Sequence, residues 1–193
     1  VSLQAPASTT GGAHRVLTLP DVNGTVATTA TAGKILKVVS TTKTDYFTTN
    51  TATSFVDVTG LSIAYTPTAA NSNILISGYV SWGLSTSGTY RAAFRLMRDS
   101  TPISVYAGSD IGNRTAATFG AQGIYSTESQ NQAPFQFLDD PTYTLGNSIT
   151  YKLQALSESG QTVYVNKSGT ENDGDNVLVP RFVSTFTLME VAA

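Results

Sequence analysis

The sequence contains no cysteine, so it can build neither a disulfide framework nor a thiolate metal site. Histidine and tryptophan each occur once, as His14 and Trp82. A Ser-His-Asp relay would have to run through His14, and a zinc site there would draw its other ligands from carboxylates alone. A local hydrogen bond is the simpler role for that side chain. Charge is also scarce: 12% of the 193 residues are charged and the net charge is −2. Nothing in that balance suggests an electrostatic grip on nucleic acid or on anionic lipid. The longest apolar run falls far short of the roughly 20 residues of a spanning helix, so no membrane insertion is expected. The first residues lack the basic and apolar regions of a secretory signal. Val1 in place of Met fits either a trimmed start or a cut from a longer chain. What abounds is Thr, Ser, Asn and Gly, the composition of short strands joined by polar turns. A chain of this length can bury about 70% of its unfolded surface, enough for a core without staples.

The clearest structural signal is Asn73 to Leu84. With period two, Ile74, Ile76, Gly78, Val80, Trp82 and Leu84 share one face, which predicts a strand with a buried side. The opposite face, with Leu75 and Tyr79, is only partly polar and suits a second cover such as another subunit. Residues 1–33 read as an extended arm and linker, in which Val16, Leu17 and Leu19 are the only close-set apolar residues. The body, 34–193, begins with a short strand expected to be buried through Ile35, Leu36, Val38 and Val39. Thr44 to Thr53 reads as a polar loop. Further strands are predicted at Phe55–Tyr65 (through Gly60), Tyr90–Arg98, Ile103–Tyr106, Ala116–Tyr125, Pro134–Leu138, Ser148–Leu156, Thr162–Asn166 and Arg181–Val191. Nine or ten short strands have the spacing of a sandwich or barrel, and with the buried face of Asn73–Leu84 as an inner wall the expectation is an all-β antiparallel sandwich.

No catalytic constellation is legible. Asp139 and Asp140 are adjacent and precede Pro141, so they read as a turn rather than a carboxylate pair. Glu128 and Glu158 have no spacing that brings them to the separation a glycosidase needs. Glu171–Asn176 is oxygen-rich but lacks the order and the distal bidentate Glu of an EF-hand, and a solvated hairpin tip is the simpler reading. Most of the tyrosines, Tyr79, Tyr90, Tyr106, Tyr125, Tyr151 and Tyr164 among them, sit in predicted strands, where packing is expected. Tyr143, in the loop after Pro141, is the one candidate sugar platform. No metal and no cofactor is implied.

Several phrases occur together that are familiar as a set. Leu3–Ser8, His14-Arg15-Val16-Leu17-Thr18-Leu19-Pro20-Asp21 and Gly24-Thr25 resemble a segment of tail-fibre and related virion proteins of tailed bacteriophages. Gly33–Thr44 is similar to the join that follows it, especially in phages of aquatic bacteria. Phe55–Leu61, Ala93–Leu96, Val163–Asn166 and Phe186–Val191 resemble the C-terminal domain of those proteins. The resemblance implies a jelly-roll sandwich on an extended arm, assembled as a homotrimer and joined to other virion proteins through the arm. It also implies a place on the virion surface after synthesis in the bacterial cytoplasm, and contact with a host glycan or receptor. It carries over no catalytic residues. The family extends to capsid decoration proteins, which makes a cement protein of the phage head the alternative.

For a fibre tip, specificity is expected in loops, which vary without rebuilding the core. Two loops hold short carboxylate and amide groups suited to sugar hydroxyls: Asp110 and Asn113 in one, Asn172, Asp173 and Asp175 in the other. Arg114 adds a fork for an acidic sugar.

Overall fold

The computed structural model describes residues 34–103, 108, 115–170 and 179–193. The arm expected over residues 1–33 therefore lies outside the described residues, as do Val105 and Tyr106 of one predicted strand. Every regular element among the described residues is a β-strand. The first sheet contains β1 (Ile35–Lys43), β2 (Phe47–Thr49), β4 (Asn73–Leu84), β8 (Asn131–Asp139), β10 (Val163–Val165) and β11 (Ser184–Val191). The second contains β3 (Val56–Tyr65), β5 (Gly88–Arg98), β6 (Thr101–Pro102), β7 (Phe119–Ile124) and β9 (Ile149–Ser157). All pairings are antiparallel. The long strands run β1-β11-β4-β8 in one sheet and β3-β9-β5-β7 in the other. Consecutive long strands alternate between the sheets, β5 and β7 excepted.

β4 lies at the centre of its sheet, with β11 and then β10 along one edge and β8 along the other. Its alternation buries Ile74, Ile76, Val80, Trp82 and Leu84 between the sheets, as its period predicts. There Trp82 begins a run of aromatic contacts: to Phe94 at 5.9 Å, then Phe119 at 5.3 Å, Phe135 at 5.3 Å and Phe186 at 6.1 Å between ring centroids. These spacings are those of favourable tilted and stacked pairs. Gly78 makes the last contact possible. Its cross-strand neighbours are Phe186 and Phe135, whose rings meet over it. A Cβ there would collide with the Thr185 carbonyl and approach Phe135 to 3.0 Å. Gly78→Ala is expected to cost about 1–3 kcal/mol through overpacking, read as a lowered midpoint in chemical denaturation.

Charged groups also lie in the interior, at the end where β4 and β9 begin. Glu190 and Asp139 flank Ile74 across the first sheet, and both are buried. Each is met by a tyrosine from the second sheet: Tyr65 donates to Glu190 at 2.7 Å, and Tyr151 to Asp139 at 2.7 Å. The Nη1 of Arg98 in β5 donates to both Asp139 oxygens, at 2.8 and 3.0 Å. At the other end, the Asn166 amide donates to the carbonyls of Lys43 and Asp45 and accepts from Ser184, whose hydroxyl also takes the Ser81 N–H. This polar knot closes the junction where β10 and β11 meet along β4.

Four details depart from the sequence reading. Asp139 is no turn residue: it ends β8 and points inward to Arg98 and Tyr151. Phe47–Thr49, within the expected loop, pairs with β10. β1 is not a buried strand: Ile35, Leu36 and Val38 are exposed, because β1 is an edge strand with an open outer face. Tyr125, assigned to packing, lies just past the end of β7 and is fully exposed.

Candidate functional site

The body has two distinguishable ends. Lys34 sits at one of them, where its carbonyl accepts the Ala192 N–H at 2.7 Å, near the start of β4 and the end of β8. Lys34 is the first described residue, so we call this end proximal. Glu190 and Asp139 lie at it, together with the loops after β3 and β8. The distal end gathers the β4–β5 turn, the β7–β8 loop, the end of β9 and the segment after β10. Gly169 N–H donates to the Thr127 carbonyl at 2.7 Å, and the Gln130 amide donates to the Pro180 carbonyl at 2.7 Å.

At the distal end the start of β5 and the end of β9 open a cleft of about 340 Å³. Its floor is apolar. Ala93 and Leu156 are cross-strand neighbours on the outer face of the second sheet, and Ala52 contributes a wall. The loop bearing Ala52 is tied down by the Ser157 N–H, which donates to the Thr51 carbonyl at 3.0 Å. The rim is polar. The Glu158 carboxylate accepts the Arg91 backbone N–H at 2.7 Å and the Arg91 Nη1 at 3.3 Å, while the Glu158 N–H returns to the Arg91 carbonyl at 3.2 Å. Most of the Arg91 side chain remains exposed. Ala92, Ser157, Ser159 and Thr115 complete the lining.

Beside these, on the first sheet, Lys167 holds its ammonium 4.9 Å from the Tyr46 ring and 5.6 Å from the Tyr164 ring. Cation–π contact of this kind fixes both rings at the surface.

Of the sequence-predicted contact residues, Asp110, Asn113, Arg114, Asn172, Asp173 and Asp175 lie outside the described residues. Thr170, a described residue of the second loop as expected over Lys167–Asn176, is at the distal end, where its N–H donates to the Thr127 carbonyl at 3.3 Å. Tyr143 is at the proximal end. Its hydroxyl donates to the Ala69 carbonyl at 2.6 Å and accepts the Ser72 N–H at 2.8 Å, so it clasps the β3–β4 loop to the β8–β9 loop. Glu158 meets Arg91 across the β5–β9 ladder. No spacing signals this pairing, because the two residues are 67 positions apart. Among the described residues, no group of three His, Asp or Glu side chains is placed to hold a metal ion.

The outer faces of the two sheets differ in character. On the second, Asp57 binds Lys152 at 2.7 Å, and Arg95 stacks on Phe55 at 4.2 Å. Burial raises the Asp57 carboxyl, but the hydrogen bonds from Lys152 and Gln154 outweigh it and hold the group below its usual range. On the first sheet, Val38, Met189, Leu75 and Leu138 stand in one cross-strand row. Val38 is 54% exposed and Leu138 49%.

No family model matches the chain, and no curated protein does. Among solved structures the chain is similar to the T13 viral particle of infectious bursal disease virus, at 16% identity, TM-score 0.42, over 92% of this chain and 40% of that one. It is also similar to the VP2 subviral particle of that virus, at 18% identity, TM-score 0.40, over 92% of this chain and 42% of that one. The chain thus spans about two-fifths of the length of these solved chains.

Proposed function

We propose that this chain is a non-enzymatic surface protein of a tailed-bacteriophage particle, the trimeric tip of a fibre or spike that touches a host-cell glycan. The opposition of the two ends carries the reading. The described body begins at the end fastened by Glu190 and Asp139, and the recessed, polar and aromatic features lie at the other. A mounted end and a contact end are what a tip requires. The phrases shared with tail-fibre proteins support the same reading. The order β1-β11-β4-β8 facing β3-β9-β5-β7 supports a jelly roll. Antibody against the body should label tail structures in electron micrographs of particles, and the purified chain should compete with particles for host cells. Label confined to the head, with no competition, would overturn the reading.

The apolar row on the first sheet is the surface that suits assembly. Removing apolar area from water contributes about 25 cal/mol per Å², so covering a few hundred Å² per chain favours association substantially before its entropic cost. In sedimentation equilibrium the chain is expected to be a trimer, and Leu75→Glu with Leu138→Glu to shift it to monomer without lowering helix-free β signal in circular dichroism. A wild-type chain that stays monomeric at micromolar concentration would sink the trimer. The same row supports a second reading, a decoration protein that lays this face against the capsid shell. Head-only label in the micrographs would favour it.

A further inference from the structure

We propose that the cleft between Arg91 and Glu158 is a binding site for one neutral saccharide ring. The proposal rests on the host-attachment reading only in taking a surface glycan as the source of the ligand; the site itself stands on its chemistry.

Size limits the ligand first. At about 340 Å³ the cleft is at the small end of the roughly 300–1,000 Å³ of small-molecule sites, which suits one or two rings. Charge then narrows the class. Arg91 and Glu158 lie side by side and offset each other, so the cleft offers no net field to a free ion. An acidic sugar would meet the Glu158 carboxylate, and an amino sugar the Arg91 guanidinium. A neutral polyol meets neither penalty.

The pair nevertheless presents unused N–H donors beside carboxylate lone pairs. Each sugar hydroxyl is both donor and acceptor, and two on adjacent carbons need such alternating partners. The Nη1–Oε1 distance of 3.3 Å is long for a charge-assisted bond, whose usual range is about 2.7–2.9 Å. A hydroxyl can therefore share both groups with little loss of their mutual contact. The Glu158 carboxylate is fixed by the Arg91 backbone N–H at 2.7 Å, so less ordering is left to pay for on binding. Below the rim, Ala52, Ala93 and Leu156 offer a shallow apolar floor for the C–H face of a ring. Among the described residues no aromatic side chain lines this floor, so the affinity of a single ring is expected in the millimolar range.

The test is an amide chemical-shift titration of the ¹⁵N-labelled full chain. The probes are methyl glycosides of glucose, galactose, mannose and N-acetylglucosamine, with glucuronic acid as the charged control. At least one neutral glycoside should shift the amides of Arg91, Ala93, Leu156 and Glu158 with millimolar Kd. Glu158→Gln should weaken it about tenfold, the size expected for losing one charge-assisted hydrogen bond. Ala93→Phe, which fills the floor, should abolish it. Glu158→Gln keeps the shape of the site, so it serves even where Ala93→Phe perturbs folding. No shift at these amides with any neutral glycoside, tighter binding of glucuronic acid, or wild-type affinity in Glu158→Gln would overturn the proposal. Adsorption to host cells separates it from the broader reading. Adsorption that survives intact in Glu158→Gln and Ala93→Phe removes the cleft and leaves host attachment standing. Glycoside binding by a chain that does not adsorb keeps the cleft and removes host attachment.

Discussion

Trp82→Ala is expected to lower the stability of the body by about 3–5 kcal/mol, the range for deleting a large aromatic side chain from a packed core. The indole is 1% exposed, lies on the inner face of β4, and is the first ring of the aromatic run through Phe94, Phe119, Phe135 and Phe186. Removing it leaves Phe94 without its neighbour at 5.9 Å and opens a cavity between the sheets. For a domain of this size each kcal/mol moves the melting temperature by about 2–4 °C, so a fall of about 10 °C in a circular-dichroism melt is the expected reading. Trp82→Phe keeps a ring in place and should lose less than half as much. The wild-type protein offers a second check, because its single tryptophan should emit at the short wavelengths of an apolar site and shift red on unfolding. Wild-type stability in Trp82→Ala, or red emission from the native chain, would remove Trp82 from the core.

How far the fold could be read in advance depended on whether the cause lay nearby in the chain. The alternation of β4, β9 and β11 reports a buried face directly, and their inner residues lie between the sheets as that period requires. β2 is not legible in the sequence because three residues give no period, and only its distant partner β10 makes it a strand. In β1 the run Ile35-Leu36-Lys37-Val38-Val39 is apolar on both faces, so the pattern could not say which side meets water. Asp139 and Glu190 reversed the usual rule that carboxylates face solvent. Each has a partner on the other sheet, and strand order, not local sequence, brings Tyr65, Tyr151 and Arg98 to them. The candidate site was less legible still. Loops chosen by composition single out polar tips, whereas the cleft exists because the β5–β9 register sets Arg91 opposite Glu158 beside the Ala93–Leu156 pair.

Glu190 is the other residue whose loss should be severe. Its carboxylate takes the Tyr65 hydroxyl at 2.7 Å, the Thr68 hydroxyl at 2.8 Å, and the backbone N–H groups of Thr68 and Ala69 at 2.9 Å. Burial would push this carboxyl up, but those hydrogen bonds outweigh it and hold the group at about 2, against an ordinary 4.5. The unfolded chain therefore takes up the proton first as the solution is acidified. The stabilisation is complete above about pH 4.5 and is lost as pH falls toward about 2. At 1.36 kcal/mol per pH unit it is on the order of 3 kcal/mol. Glu190→Gln should cost about that much at neutral pH, because an amide can satisfy Tyr65 with its oxygen only by turning its own N–H groups toward the Thr68 and Ala69 donors. Urea denaturation from pH 7 down to pH 2 should show the gap between wild type and variant closing as Glu190 protonates, since both then present a neutral group to the same donors. A gap that stays constant over that range would mean the carboxylate charge contributes nothing, and that Glu190 holds the β3–β4 loop by shape alone.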